Sequence, residues 1–184
     1  VVTGLADRLR GFGRYERSRR LEAAHALDVQ PGQWDFLSAV QSWRDLLKQP
    51  DVGLALDAEW RMGAGEVPGS AIGHVNAHEV NQVLDWLAAL TKAGDPPQKV
   101  VVLHIFRASM ISDLKSITNH PELALVQHLD GFGGVKTKMD VYQKLAAPQQ
   151  FHMGFKLFYT QDHPLLTPAQ VLAMKPQPEF VSYQ

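Results

Sequence analysis

A (β/α)8 TIM-barrel-like domain, lacking its first strand, is the fold this sequence predicts, with residues 1–184 forming one α/β domain. Three observations lead there. Short apolar runs alternate with amphipathic stretches down the chain, the pattern of a parallel sheet wound with right-handed crossovers. Polar side chains recur near the C-terminal end of almost every run, as around the mouth of a barrel, whereas an open sheet gathers them at one switch point. No glycine-rich phosphate turn follows an early strand, which counts against a nucleotide-binding open sheet.

The elements follow in order. Val1-Val2-Thr3-Gly4 is the expected tail of the second barrel strand, and the chain opens without Met, as a piece cut from something longer would. Leu5 to Ala23 is the first helix, weakened by Gly11 and Gly13. Ala24 to Val29 is the third strand. Asp35 to Leu47 spaces Phe36, Val40, Trp43 and Leu47 by three and four residues, which makes one buried helical stripe. Val52 to Trp60 is the fourth strand. Asn76 to Ala93 opens with Asn76 and Glu79 in capping-box register, buries Val80, Val83, Leu84, Leu87 and Leu90, and stops at Gly94. Lys99 to Phe106 is the fifth strand and Ser109 to Ile117 a short helix. Leu123 to Leu129, Lys138 to Leu145 and Phe151 to Tyr159 repeat the strand–helix–strand unit. Thr167 as N-cap and Pro168 at the first helical position start the helix Pro168 to Met174. Phe180 to Tyr183 is the eighth strand. The runs are near-continuously apolar, as strands covered on both faces are.

Composition excludes several partners. A net charge of -1 argues against an electrostatic grip on nucleic acid. The basic cluster Arg8, Arg10, Arg14, Arg17, Arg19 and Arg20, interspersed with Asp7, Glu16 and Glu22, has the pattern of a solvated helix face. No run approaches the roughly 18 apolar residues of a membrane span. The absence of Cys removes disulfides and thiolate chemistry from the chain. No motif asks for a cofactor.

Side chains alternate across a strand. In Leu54 to Trp60, Ala55, Asp57 and Glu59 then point one way, and Leu54, Leu56, Ala58 and Trp60 the other. Two carboxylates behind a small residue suit the inside of a barrel mouth. By the same reasoning Asp28 and Gln30, His104, His128 and Asp130, Lys156, and Gln184 join them from the other strands. Burying so many ionisable groups is costly unless they pair or serve chemistry. Neighbouring carboxyls push their pKa values apart, which keeps one protonated as a general acid. Glycoside hydrolysis needs such an acid and a second group to stabilise the sugar cation. Glu59 is the candidate acid, Asp57 its partner, and Asp28 or Asp130 the group that holds water or an acetamido substituent. Arg107 is a further substrate-binding candidate. Trp60, Phe158, Tyr159 and Tyr183 offer faces for sugar rings.

Asp57-Ala58-Glu59 at the end of an apolar fourth strand resembles the Asp-x-Glu signature of family 25 lysozymes and the end of the longer family 18 chitinase motif. Gly53 and Leu54 depart from that motif where further acids stand. The resemblance implies Glu59 as general acid with Asp57 assisting. Leu27-Asp28-Val29-Gln30-Pro31-Gly32, Ala55-Leu56-Asp57-Ala58-Glu59-Trp60-Arg61-Met62 and Leu166-Thr167-Pro168-Ala169-Gln170 resemble a family of actinobacterial secreted proteins, often lipoproteins. That resemblance implies a secreted or envelope-anchored location and supplies no activity.

The expected function is therefore hydrolysis of a cell-envelope or other polysaccharide. Two rivals stand beside it. A metal-dependent amidohydrolase-type enzyme would use His104 and His128, although no His-x-His pair is present and the eighth strand offers Ser182 and Gln184 in place of an Asp. A non-catalytic barrel would hold a glycan or other small ligand, with the glycine-rich segment Met62 to Val75 as its rim. The turn Gly131-Phe132-Gly133-Gly134 is rich enough in glycine to receive a phosphate. No Gly-x-Ser-x-Gly elbow is present.

Overall fold

In a computed structural model, residues 25–94 and 98–184 are described. The expected strand Val1 to Gly4, the helix Leu5 to Ala23 and the arginine cluster lie outside them. Eight strands and five helices occur among the described residues: β1 (His25–Val29), α1 (Phe36–Gln41), α2 (Arg44–Leu47), β2 (Val52–Asp57), β3 (Val75–Asn76), α3 (Ala77–Gly94), β4 (Lys99–Ile105), β5 (Ile111–Ser112), β6 (Leu123–Leu129), α4 (Val135–Leu145), β7 (His152–Leu157), α5 (Pro168–Leu172) and β8 (Phe180–Tyr183).

The main sheet has six strands in the order β1-β2-β4-β6-β7-β8, every pairing parallel, and β3 pairs with β5 in a separate two-stranded ladder. It is a curled half-barrel. Among the described residues the expected (β/α)8 barrel is not complete, because closure needs every strand paired on both sides and the ladder stops at β1 and β8. The crossovers also fall short of the expected pattern. The β7–β8 connection carries only the five-residue α5, and Ser109 to Ile117 is no helix but two 3-10 turns flanking β5. Asp113 there adopts a left-handed φ of 54°, which interrupts any continuous turn.

Alternation divides the sheet into two faces. Leu27, Val29, Leu54, Leu56, Val101, Leu103, Ile105 and Leu125 form one core with Phe36 and Val40 of α1 and Val80, Val83, Leu84 and Leu87 of α3. Leu129, Phe155 and Leu157 continue it beneath α4 and α5 around Tyr142 and Val171. The opposite face carries a small cluster of Ala26, Ala55, Val102 and Val126, with Phe180 against it. The polar residues stand above this cluster.

Local sequence explains the helix ends. Thr167 and Gln170 complete a reciprocal capping box at α5. At α3 only half the expected box forms: Asn76 Oδ1 accepts from the Glu79 N–H at 2.9 Å. The Glu79 carboxylate instead accepts from Arg61 Nε at 2.8 Å and from the Phe36 N–H at 2.9 Å. The expected helix Asp35 to Leu47 is split between α1 and α2, leaving Trp43 exposed where a buried stripe was expected. No helix among the described residues is long and apolar enough to cross a membrane.

Candidate functional site

Parallel strands in register deliver side chains to one edge. Asp57 is paired with His104, and His104 with His128. His128 is paired with Gly154, and Lys156 with Ser182. Asp28, one residue before the end of β1, lies on the same face. A Cβ at Gly154 would lie 2.9 Å from His128 Cδ2 and 2.8 Å from Val126 Cγ1; the glycine is what admits the imidazole.

The centre is a hydrogen-bonded chain. His104 Nδ1 donates to Asp130 Oδ2 at 2.9 Å. His128 Nδ1 lies 3.2 Å from His104 Nδ1, and its Nε2 lies 3.0 Å from Ser182 Oγ. Asp28 Oδ1 is 3.9 Å from His104 Nε2. Gln30 Nε2 donates to Asp57 Oδ2 at 3.3 Å. Asp57 Oδ1 and Asp130 Oδ1 are buried without a hydrogen-bond partner among the described residues.

The charges follow from this packing. Burial, reinforced by Asp28, Asp130 and Glu59 against the pull of His104, pushes the Asp57 carboxyl up to about 7. Burial and the nearby Asp130 charge raise half-buried Glu59 as well, against Lys156, His104 and Arg107. Burial opposes a charge on His104, but the Asp130 hydrogen bond and the Asp130, Asp28 and Asp57 charges overcome it and push it up to about 9. Burial and the His104 charge hold His128 well below its ordinary value. Asp130 is lowered although burial works the other way, because His104 bonds to it. At neutral pH the site thus offers raised carboxyls at Asp57 and Glu59 beside an anion at Asp130.

One positional expectation needs correcting. β2 ends at Asp57, and Glu59 sits on a 3-10 turn, Ala58–Trp60. Strand alternation places Asp57, but it does not place Glu59. The turn brings Glu59 to the cluster, within electrostatic reach of Asp57's neighbours Asp130 and His104. Gly73 N donates to Glu59 O at 2.6 Å and pins that turn.

Of the other expected residues, Lys156 lies 4.9 Å above the Phe158 ring and Arg107 5.7 Å from the Phe106 ring. Tyr159, 62% exposed, stacks on Tyr183 at 5.4 Å. Phe132 meets Phe158 edge-on at 5.8 Å. Trp60 is partly buried and makes no ring contact with the cluster among the described residues. Gln184 bonds through its backbone to Leu157 and Tyr159, and its exposed side chain does not join the chain of bonds.

Contacts the sequence did not predict are as informative. Ser182 contacts His128 directly. Trp34 and Trp43 flank a groove of 290 Å³ with Gln30, Pro31, Ser38 and Ser42, so Gln30 joins the groove to Asp57. Trp34 is 69% exposed, which is unusual for an indole. Buried Lys138 pairs with Asp162 at 3.0 Å, their side chains 2% and 1% exposed. Asp162 Oδ1 also accepts from the Gly133 N–H at 2.9 Å, so the glycine-rich turn already receives an anion from its own chain. A lysine in a helical stripe and an aspartate among prolines gave little signal of that pairing. His104, His128 and Asp130 could hold a metal, their ligand atoms lying within 4.8 Å of one another.

No family model matches this chain, and no curated protein or solved structure is significantly similar to it.

Proposed function

We propose that this chain hydrolyses a glycan, with Glu59 as the general acid and Asp57 as the group that keeps it supplied and oriented. The observation that carries the reading is the convergence of two carboxyls raised by burial with an anionic Asp130 at one sheet edge. An acid for the leaving oxygen and an anion for the developing cation are the two needs of glycoside cleavage. Asp57 is the more buried of the raised pair and the better placed to support Glu59 than to face substrate. Asp28 and Asp130 are the carboxylates that would steady the cation or hold water. The Tyr159–Tyr183 stack and the Trp34–Trp43 groove supply aromatic faces of the kind sugar rings pack against. The Asp-x-Glu resemblance supports the same roles, and the envelope resemblance suggests a cell-wall polysaccharide as substrate.

The test is digestion of labelled envelope polysaccharides by wild type and Glu59→Gln. Turnover should fall by about 10²–10⁴-fold, the usual contribution of a positioned acid, with the thermal midpoint unchanged. Equal turnover by the variant removes the assignment. Saturable binding without turnover by wild type would make the protein a glycan receptor instead. In the same binding assay, Trp34→Ala should weaken affinity about tenfold, the loss of roughly 1.4 kcal/mol of ring contact. Unchanged affinity would leave the groove outside the ligand's path.

A further inference from the structure

We propose that His104, His128 and Asp130 form a binding site for a first-row divalent cation of the zinc class, held by Nδ1 of both rings and one carboxylate oxygen. This goes beyond the glycan reading and does not rest on it.

The spacing is the first argument. Ligand atoms about 2.0–2.1 Å from such a metal stand about 2.9–3.4 Å apart along the edges of an octahedron or tetrahedron. Two of the three edges have that length, His104 Nδ1 to Asp130 Oδ2 at 2.9 Å and His104 Nδ1 to His128 Nδ1 at 3.2 Å, and the three ligand atoms all lie within 4.8 Å of one another. All three side chains are buried.

Proton counting is the second argument. A carboxylate only accepts, so His104 Nδ1 must carry the hydrogen that reaches Asp130. The Nδ1 of His128 then faces the same hydrogen with its lone pair. One hydrogen serves two acceptors, and Asp130 Oδ1 remains buried without a partner among the described residues. A cation in place of that hydrogen would satisfy the lone pairs of both Nδ1 atoms and of Asp130 Oδ2 together.

The groups behind the ligands supply the third argument. Metal-bound histidines usually present their other ring nitrogen to a hydroxyl, carbonyl or carboxylate, which fixes the ring and the tautomer. His128 Nε2 lies 3.0 Å from Ser182 Oγ, and His104 Nε2 lies 3.9 Å from Asp28 Oδ1. Both rings therefore turn Nδ1 inward and Nε2 toward an oxygen. Three protein ligands are one fewer than a closed structural zinc site has, which leaves a position for water.

The experiment uses purified chain stripped with chelator and titrated with Zn²⁺ by calorimetry and with Co²⁺ by visible absorption. The expected result is one equivalent per chain, with a Co²⁺ ligand-field band. His128→Gln should abolish both signals. Ser182→Ala, at a half-buried position tolerant of change, should weaken affinity about 10–100-fold through the outer contact alone. Absence of heat and of the band in wild type overturns the proposal. So does binding that neither His128→Gln nor Ser182→Ala alters, which would place the ion elsewhere.

Discussion

Alanine at Asp162 is expected to cost about 3–5 kcal/mol of unfolding free energy, the usual penalty for stranding a buried charge. Lys138 loses its 3.0 Å partner and keeps the carbonyls of Gly131 and Lys156, at 2.6 and 2.8 Å, and the faces of Phe155 and Phe158, none of which carries a compensating charge. The N–H groups of Gly133 and Phe158, which Asp162 accepts at 2.9 Å each, lose their acceptor too. These contacts join the turn after β6 to the turn after β7, so the damage reaches Asp130 and Lys156. Urea denaturation measures it. Replacing the pair together, as Lys138→Met with Asp162→Leu, should be milder than the single change, since two apolar groups leave no orphaned charge. A single-variant loss below about 1 kcal/mol would mean that water reaches this pair and satisfies it.

The second large effect is at Gly73. A Cβ there would stand 2.5 Å from Arg61 O, 2.6 Å from Glu59 O and 2.7 Å from Arg61 N. All three are backbone atoms, so no side chain can rotate out of the way. Gly73→Ala should therefore displace the turn that carries Glu59 and cost about 1–3 kcal/mol in overpacking. A displacement near 1 Å at a reacting group costs roughly a hundredfold in rate. With Glu59 in the role proposed above, turnover should thus drop by about that factor even at temperatures where circular dichroism reports a folded chain. A wild-type midpoint in Gly73→Ala would refute the close approach itself, whatever substrate is used.

Strand positions were legible because the hydrophobic pattern of a two-sided parallel strand is strong. Leu123–Leu129 and Phe180–Tyr183 have the bounds expected from sequence, and the inward set Asp28, Asp57, His104, His128 and Lys156 follows from alternation alone. Closure was not legible. Strand and helix alternate in a closed barrel and in an open curl alike, and what separates them is pairing at the edges. Ser109 to Ile117 misled because its apolar spacing suits a helix, while Asp113 in a left-handed conformation breaks it. Trp43 misled for the same reason, with the chain turning at Ser42 before the stripe could reach it. Alternation argues only as far as Asp57, and it is the 3-10 turn, which the apolar pattern does not announce, that carries Glu59. Lys138 and Asp162 were invisible because neither residue type announces a buried partner 24 positions away.

Glu79 sits at the start of α3, yet its carboxylate grips Arg61 and the first amide of α1. Arg61 follows Glu59 by two residues, so one ion pair ties the helix entrance to the turn that carries Glu59. Under the glycan hydrolysis proposed above, mutational drift at Glu79 and Arg61 is then not free: selection on turnover would extend to residues that never meet the substrate, and an activity screen would score them as though they did.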